Sequence, residues 1–419
     1  MNFPKIDPKD RNSSIRDLNK QIKHGLRLQE LTNKDIEELS EDERFDYVDA
    51  IIVQPDYQRE YRYTIADESL LVESIIVGIP VPPIFLANTR FLGIQVLNVV
   101  DGQHRLTAFY RYINNEFKLQ GLKLCADLND KYFKDLESEI KEKIISANIQ
   151  QIIFKEFPGK VFELEIFNRY NKGTKPLTPQ EIRNAVYGSK FNSYVNSFSK
   201  MICTQVSDFD IYTRDELKKL GVIYNATQDR FLKKKIQESI FVIFNILEFG
   251  FSDQLKKSPQ YADSYMKQKA EFEDELNKLE LEYETKSVNS DVTQIEVKRE
   301  EKKIAIDKNF NIMKEYFRQF NDLVLKINEK VEYPFSREIY GISSRNYKFQ
   351  ISIAMILAGL VNKLLTTGES VENLKNIDAL TKYLSDLLGN SYLEDSEYNA
   401  SSTNYVELTR LIENWIFLR

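Results

Sequence analysis

The stretch Val96-Leu97-Asn98-Val99-Val100-Asp101-Gly102-Gln103-His104-Arg105-Leu106-Thr107-Ala108 decides how the fold is read. Its first half is an apolar run of strand length that stops at a carboxylate. Gly102 then turns the chain. Leu106, Phe109, Tyr110 and Ile113 recur at helical spacing to about Asn114. A strand that feeds a helix through a glycine has a physical use. The first backbone N–H groups of a helix lack intrahelical partners, and the helix dipole makes that end positive. An anion set there is held by backbone donors, Gly102 lets the backbone come close, and Arg105 can add a planar cationic fork. Asp101 can hold Mg2+, a ribose hydroxyl or an attacking water, and Gln103 can orient that water or read a base edge. A plainer reading stands beside this one. Asp is a preferred N-cap type, and Arg105 can pair with a carboxylate across the domain. A single His at a helix start, as at His104, is more often a hydrogen-bonded structural group than a proton shuttle.

Outward from this turn, residues 49–154 mix strands and helices. Ala50–Val53, Pro83–Leu86, Val96–Val100, Leu122–Leu124 and Ile149–Phe154 read as strands. Asp67–Val77 carries Leu70, Leu71 and Ile75 at helical spacing with Gly78 as its stop, and Leu136–Ser146 is helical. Residues 1–45 read as a charged helical lead-in, with Asn12-Ser13-Ser14 and Thr32-Asn33 as caps. Beyond Gly159 nearly everything is helical: Val161–Tyr170, Pro179–Tyr187, Asp229–Phe249, Arg345–Thr366, Val371–Leu388 and Thr403–Leu418. Tyr261–Lys286 and Val292–Lys330 are long, charged and nearly free of Gly and Pro. They predict an antiparallel helical hairpin over about 261–330 that projects from the body. Its seams are Phe272, Leu276, Leu279 and Tyr283 on one arm and Ile304, Phe310, Met313, Phe317 and Phe320 on the other, with a turn at Ser287–Ser290. The expected division is 1–45, 46–190 and 191–419, an α+β core followed by a mostly α-helical domain.

Composition excludes several classes. With 419 residues the chain can bury a core without metal or disulfide staples, and 42% hydrophobic with 29% charged residues is ordinary for a globular chain. Only 14 glycines fit long helices and short connections. The balance of 58 Lys+Arg against 64 Asp+Glu, net −6, argues against a dedicated duplex-DNA coat protein and leaves a local basic groove open. Two cysteines, Cys125 and Cys203, make no disulfide framework and are expected to be reduced thiols in a cytoplasmic protein. Met1–Ser14 has no apolar signal region, and the apolar runs Ile240–Leu247 and Ile351–Val361 are too short to span a bilayer, so no membrane partner is expected. Two histidines, His24 and His104, leave no room for a zincin or HNH nuclease, and no Walker or dinucleotide-binding pattern is present.

Two further stretches carry chemistry. Val53–Tyr63 holds Tyr57, Gln58 and Arg59, where arginine and aromatics suit base stacking and phosphate gripping. A solvated loop with packed tyrosines explains it equally. In Asn168–Asn184, Gly173 offers a helix stop, and Thr178, Pro179 and Glu181 form a capping box for a new helix. Asn168, Asn171 and Lys172 are left as candidate ligand contacts.

Together these stretches resemble the GmrSD-type restriction N-terminal domain family. Tyr57-Gln58-Arg59 matches its Tyr-Gln-Arg, and Asp101–Ala108 its Asp-Gly-Gln-Gln-Arg-Leu-Thr-Ala turn. Asn171, Gly173, Leu177, Glu181, Ile182, Arg183 and Ala185 match its Asn-x-Gly-x-x-Leu-x-x-x-Glu-Ile-Arg-x-Ala segment. Ser74–Ile84 resembles its Ser-Ile-x-x-Gly-x-x-x-Pro-x-Ile element. The likeness covers Asp49 to about Tyr187. It implies a ParB/sulfiredoxin-like core whose Asp101–Arg105 turn sits at a nucleotide or phosphate site. Relatives with this turn are nucleotide-binding, sometimes NTP-hydrolysing, components of bacterial anti-phage defence. His104 stands where Gln is usual and Tyr63 where Trp is common. Many relatives carry a downstream HNH nuclease, which this chain, with no His after 104, does not.

The expectation is therefore an NTP-binding component of a restriction-type defence system, acting with DNA or an effector protein. Hydrolysis, and with it any enzyme class, is left open. Asp101, Gln103, His104 and Arg105 would do the chemistry, with Mg2+ on Asp101. Tyr57, Gln58, Arg59, Gly102, Thr107, Asn168, Asn171 and Lys172 would hold the nucleotide. The alternatives are a ParB-like DNA-binding or nicking protein using the same cleft, and a non-enzymatic homo-oligomeric assembly protein.

Overall fold

In the computed structural model, residues 8–31, 39–53, 63–91, 94–155, 169, 178–206, 212–286, 293–343, 348–374, 376–394 and 404–413 are described. The fold is α+β, and the chain divides into two compact units, residues 1–177 and 178–419. In the first, β1 (Lys9–Ser14), β2 (Ala50–Ile52), β3 (Ile84–Phe91), β4 (Ile94–Asp101) and β5 (Asn148–Phe154) form one sheet in the order β1-β5-β3-β4-β2. β3 and β4 pair antiparallel, as do β1 and β5, while β5 joins β3 and β2 joins β4 in parallel.

Alternation along the strands builds the core. Ile84, Leu86, Leu97 and Val99 point to one face. They pack there with Ile15, Leu18 and Ile22 of α1 (Ile15–Glu30), Val72 and Ile76 of α3 (Ile65–Val77), and Leu106, Phe109 and Tyr112 of α4 (Gln103–Ile113). Phe85, Ala87, Val100 and Phe154 cluster on the other face. Gly25 lets α1 lie directly on β2, since a Cβ there would stand 2.0 Å from the Ile51 carbonyl oxygen. The short α2 (Glu41–Asp46) and α5 (Ser138–Ser146) complete the α-helices described in this unit, beside 3-10 turns at Ala126–Leu128 and Phe133–Asp135.

Several expectations change. The described residues of the 1–45 lead-in are not all helical. Lys9–Ser14 is an edge strand of the sheet, and α1 belongs to the core. The strand KDRNSS has no apolar alternation because it is largely exposed, and only its backbone pairing with β5 defines it. Leu122–Leu124 is not a strand. Glu73 accepts the Leu124 and Cys125 amides at 2.7 and 2.9 Å, and Asn129 accepts the Leu122 amide, so side chains replace a ladder. On α3, Leu70 is exposed, whereas Glu68, Ser69 and Glu73 are buried. Glu68 is compensated by Arg111 at 2.6 Å. Thr32-Asn33 lies outside the described residues.

The second unit is helical. α6 (Pro179–Val186), expected in the preceding domain, bonds within this one: Arg183 pairs with Glu238 at 2.9 Å, and Asn184 donates to Gln237. α7 (Lys190–Thr204) and α8 (Arg214–Ile223) follow. Asp229–Phe249 is two helices, α9 (Gln228–Leu232) and α10 (Lys235–Phe249), broken where Lys234 takes the left-handed conformation at φ 57°. Apolar α10 is buried among α7, α13 (Ile351–Thr366) and the base of the hairpin α11 (Ser258–Lys286) and α12 (Thr293–Asn328). α14 (Ile377–Gly389) and α15 (Tyr405–Glu413) close the unit.

The hairpin arms pack against each other, but much of their length is core rather than projection: Tyr261, Tyr265, Met313, Phe317 and Phe320 are buried. Ile304 is 59% exposed because the buried face of α12 runs through Ile306 and Met313, and two residues turn a helix by about 200°. Farther out, cations over rings supply contact. Lys302 sits 3.6 Å over Phe272, and Arg299 sits 4.5 Å over Tyr283. The expected turn at Ser287–Ser290 lies outside the described residues.

Candidate functional site: the corner between β4 and α4

β4 ends at Asp101, opposite Phe85 of β3 beside a bulge. Gly102 follows with φ 103° and ψ 9°, a conformation L side chains rarely adopt. A Cβ at Gly102 would also lie 2.6 Å from Ile84 Cγ2. Gly102, not Asp101, takes the N-cap position. Having no side chain, it leaves α4 without a side-chain cap. Elsewhere the chain uses Ser14, Ser40, Thr64, Thr178 and Thr213 to cap helices. The first intrahelical bond of α4 runs from the Leu106 amide to the Gly102 carbonyl at 3.0 Å. The preceding amides of the first turn have no intrahelical acceptor.

The sequence left Arg105 open between an anion ligand and a carboxylate partner. In the structure it has the second arrangement. One terminal nitrogen donates to Asp101 Oδ2 at 2.5 Å, and the other donates to the carbonyls of Pro82 and Pro83 at 2.8 and 3.0 Å. The side chain is 13% exposed and that of Asp101 28%. Arg105 thus latches the corner to the segment that follows α3. The two prolines donate no backbone hydrogen bond, but their carbonyls accept from Arg105.

Gln103 is buried, and His104 and Thr107 are half-buried. The His104 ring lies 4.5 Å from the Tyr63 ring, tilted by 31°. Tyr63 is held just before α3, whose start is fixed by the Thr64–Asp67 capping box. The positions where this sequence departs from the family pattern, His for Gln and Tyr for Trp, are therefore in contact. Pairwise packing was invisible in the sequence, where the two lie far apart. Tyr57, Gln58, Arg59, Asn168, Asn171 and Lys172 lie outside the described residues. Two open cavities among the described residues are lined by the helical unit.

A family comparison bears on the corner directly. Residues 28–188 match the family described as GmrSD restriction endonuclease, N-terminal domain. This segment is a GmrSD-type N-terminal domain. No curated protein and no solved structure matches the chain. The GmrSD-type match contains the whole corner, from β2 through α4, and runs on to α6. In α6 the motif residues Glu181 and Arg183 have structural work. Glu181 closes the capping box with Thr178, and Arg183 pairs with Glu238. No helix among the described residues is long and apolar enough to cross a membrane.

Mg2+ needs oxygen ligands in near-octahedral array. Asp101 offers one carboxylate with Oδ2 given to Arg105, and no group of three metal-ligating side chains is gathered among the described residues. Asp101 fits a single contact to an ion that a nucleotide's own phosphates and water would otherwise hold.

Proposed function

We propose that the chain is a nucleotide-binding component of a restriction-type defence system, built on a ParB/sulfiredoxin-like core. The GmrSD-type domain supports the defence role. The observation that carries nucleotide binding is the glycine N-cap of α4: a positive helix end with no side-chain cap, at the end of a strand. In this reading the first-turn amides of α4 take a phosphate of an NTP, with His104 and Thr107 beside it. Asp101 contributes to Mg2+ or to a water, and Arg105 acts as a positioning residue through its bonds to Asp101 and the Pro82-Pro83 carbonyls. Tyr57, Gln58, Arg59, Asn168, Asn171 and Lys172 would complete the nucleotide contacts, and DNA or an effector protein would receive the output.

The test is NTP binding and phosphate release by the wild type and by Asp101→Ala. Binding lost or weakened in the variant, with its fold intact by circular dichroism, supports the reading. Absence of binding to any of the common NTPs in both proteins rejects it. The family's restriction character favours DNA as the second ligand, and a metal-dependent nicking assay on modified and unmodified DNA separates direct DNA processing from nucleotide-driven action.

A further inference from the structure

One face of α12 is committed within its own unit: Ile306 and Met313 are buried, and Arg299 sits over Tyr283 of α11. A helix turns by about 100° per residue, so the opposite face runs through Val297, Glu301, Ile304, Ala305, Lys308 and Ile312, all within about 50° of one line. All six are exposed, Val297 by 53%, Ile304 by 59% and Ile312 by 39%. Among the described residues neither Glu301 nor Lys308 has an ion-pair partner, whereas nearby Lys302 pairs with Glu275 and Asp307 with Lys190. Four aliphatic side chains and two unanswered charges thus share one solvent-facing stripe.

The stripe is symmetric about the midpoint between Ile304 and Ala305. Val297 and Ile312 lie equally far from it on either side, and so do Glu301 and Lys308. When two copies of a helix pack antiparallel about a two-fold axis, residues equally distant from the midpoint face each other. Centred there, such a pair sets Val297 of one copy against Ile312 of the other, Glu301 against Lys308, and Ile304 against Ala305, each of them twice. Aliphatic meets aliphatic, and acid meets base. Other registers fare worse. A pair centred on Glu301 or on Lys308 sets like charges together, and so does a parallel pair in register.

At the axis a large residue meets a small one, so the two helices can approach closely without a clash. With α11 lying behind each α12, the two hairpins would meet back to back as a four-helix arrangement. The stripe from Val297 to Ile312 is about 22 Å long. One helix face of that length buries less than the roughly 1,000 Å2 of a stable complex, so the association is reversible, with a Kd in the micromolar range.

We propose that the exposed face of α12 docks a second copy of this chain, antiparallel and centred between Ile304 and Ala305. The aliphatic side chains supply the contact area, and the two Glu301–Lys308 pairs fix orientation and register. No residue of the β4–α4 corner takes part, so the proposal stands apart from nucleotide binding.

Sedimentation velocity of the full chain between about 1 and 200 μM reads the association. The wild type is expected to pass from monomer to dimer over this range. Ile304→Glu changes an exposed position, leaves the fold intact by circular dichroism, and should hold the chain monomeric by setting two like charges at the axis. Glu301→Lys and Lys308→Glu each oppose like charges twice and should weaken association by about tenfold or more. Mixing these two variants in equal amounts, or joining both substitutions in one chain, opposes unlike charges again and should recover it. Loss in the three single variants with recovery in the mixture supports the proposal. A wild type that stays monomeric throughout overturns it and leaves the stripe to a different protein. Dimers that persist in Ile304→Glu overturn it by placing the interface elsewhere, and charge variants that fail to recover on mixing refute the antiparallel match.

Discussion

Replacing Arg105 by Met tests whether the guanidinium is a latch. The side chain makes two bonds to carbonyls, at 2.8 and 3.0 Å, and an ion pair at 2.5 Å. Hydrogen bonds to charged groups contribute about 1.5–3 kcal/mol when well shielded. Asp101, 28% exposed, and partial solvent access reduce each to about 1 kcal/mol. Methionine keeps most of the aliphatic stem, so packing changes little. The expected loss is about 3 kcal/mol, or about 6–12 °C in the transition of the sheet unit at ~2–4 °C per kcal/mol. Calorimetry reads that transition, and hydrogen exchange followed by mass spectrometry localises it. Amides of β4 and the first turn of α4 should exchange faster, while those of α10 and α13 should not. Asp101→Asn keeps a neutral acceptor for Arg105 and should cost no more than about 1 kcal/mol. An Arg105→Met protein within about 0.5 kcal/mol of wild type, a difference typical of surface substitutions, would refute the latch.

Other consequences follow from packing and burial. Gly25→Ala puts a methyl 2.0 Å from the Ile51 carbonyl oxygen, so α1 must lift from β2. The variant should be destabilised by more than about 3 kcal/mol and recovered mainly as insoluble protein; wild-type solubility and melting would contradict the close approach. Lys269 is buried against Glu248, Asn309 and the rings of Phe191 and Tyr265. Lys269→Met should cost about 3 kcal/mol by leaving Glu248 unpaired, and adding Glu248→Leu should recover most of it in urea melts; a harmless single variant would disprove the pairing. Burial pushes the Cys203 thiol up to about 11 from an ordinary 9.0, and burial, then Glu73, raises Cys125. The reactive thiolate of Cys203 therefore stays scarce at neutral pH. Its labelling rate should climb about tenfold per pH unit past pH 9 while the fold holds, and levelling near the ordinary value would exclude the shift.

The local order of the chain determined much of this protein. The apolar run Val96–Val100, the glycine and the helical spacing after it specify a strand-to-helix corner, because side-chain period and steric freedom act over a few residues. The buried helices at Ile240–Leu247 and Ile351–Val361, the Gly78 stop and the Thr178 capping box were legible for the same reason. Only the tertiary structure decided what is set by partners far along the chain. Lys9–Ser14 became a strand because β5 offers it backbone groups, not because its side chains ask for one. Glu68 and Glu73 entered the core because Arg111 and the amides of Leu124 and Cys125 meet them there. Arg105, which the sequence left open between an anion ligand and a carboxylate partner, turned inward to Asp101 and two proline carbonyls. His104 found Tyr63. A sequence pattern records which face of an element is apolar. Which charges and rings meet is fixed by how those faces pack, since electrostatic and ring contacts act over a few ångströms of space regardless of their distance along the chain.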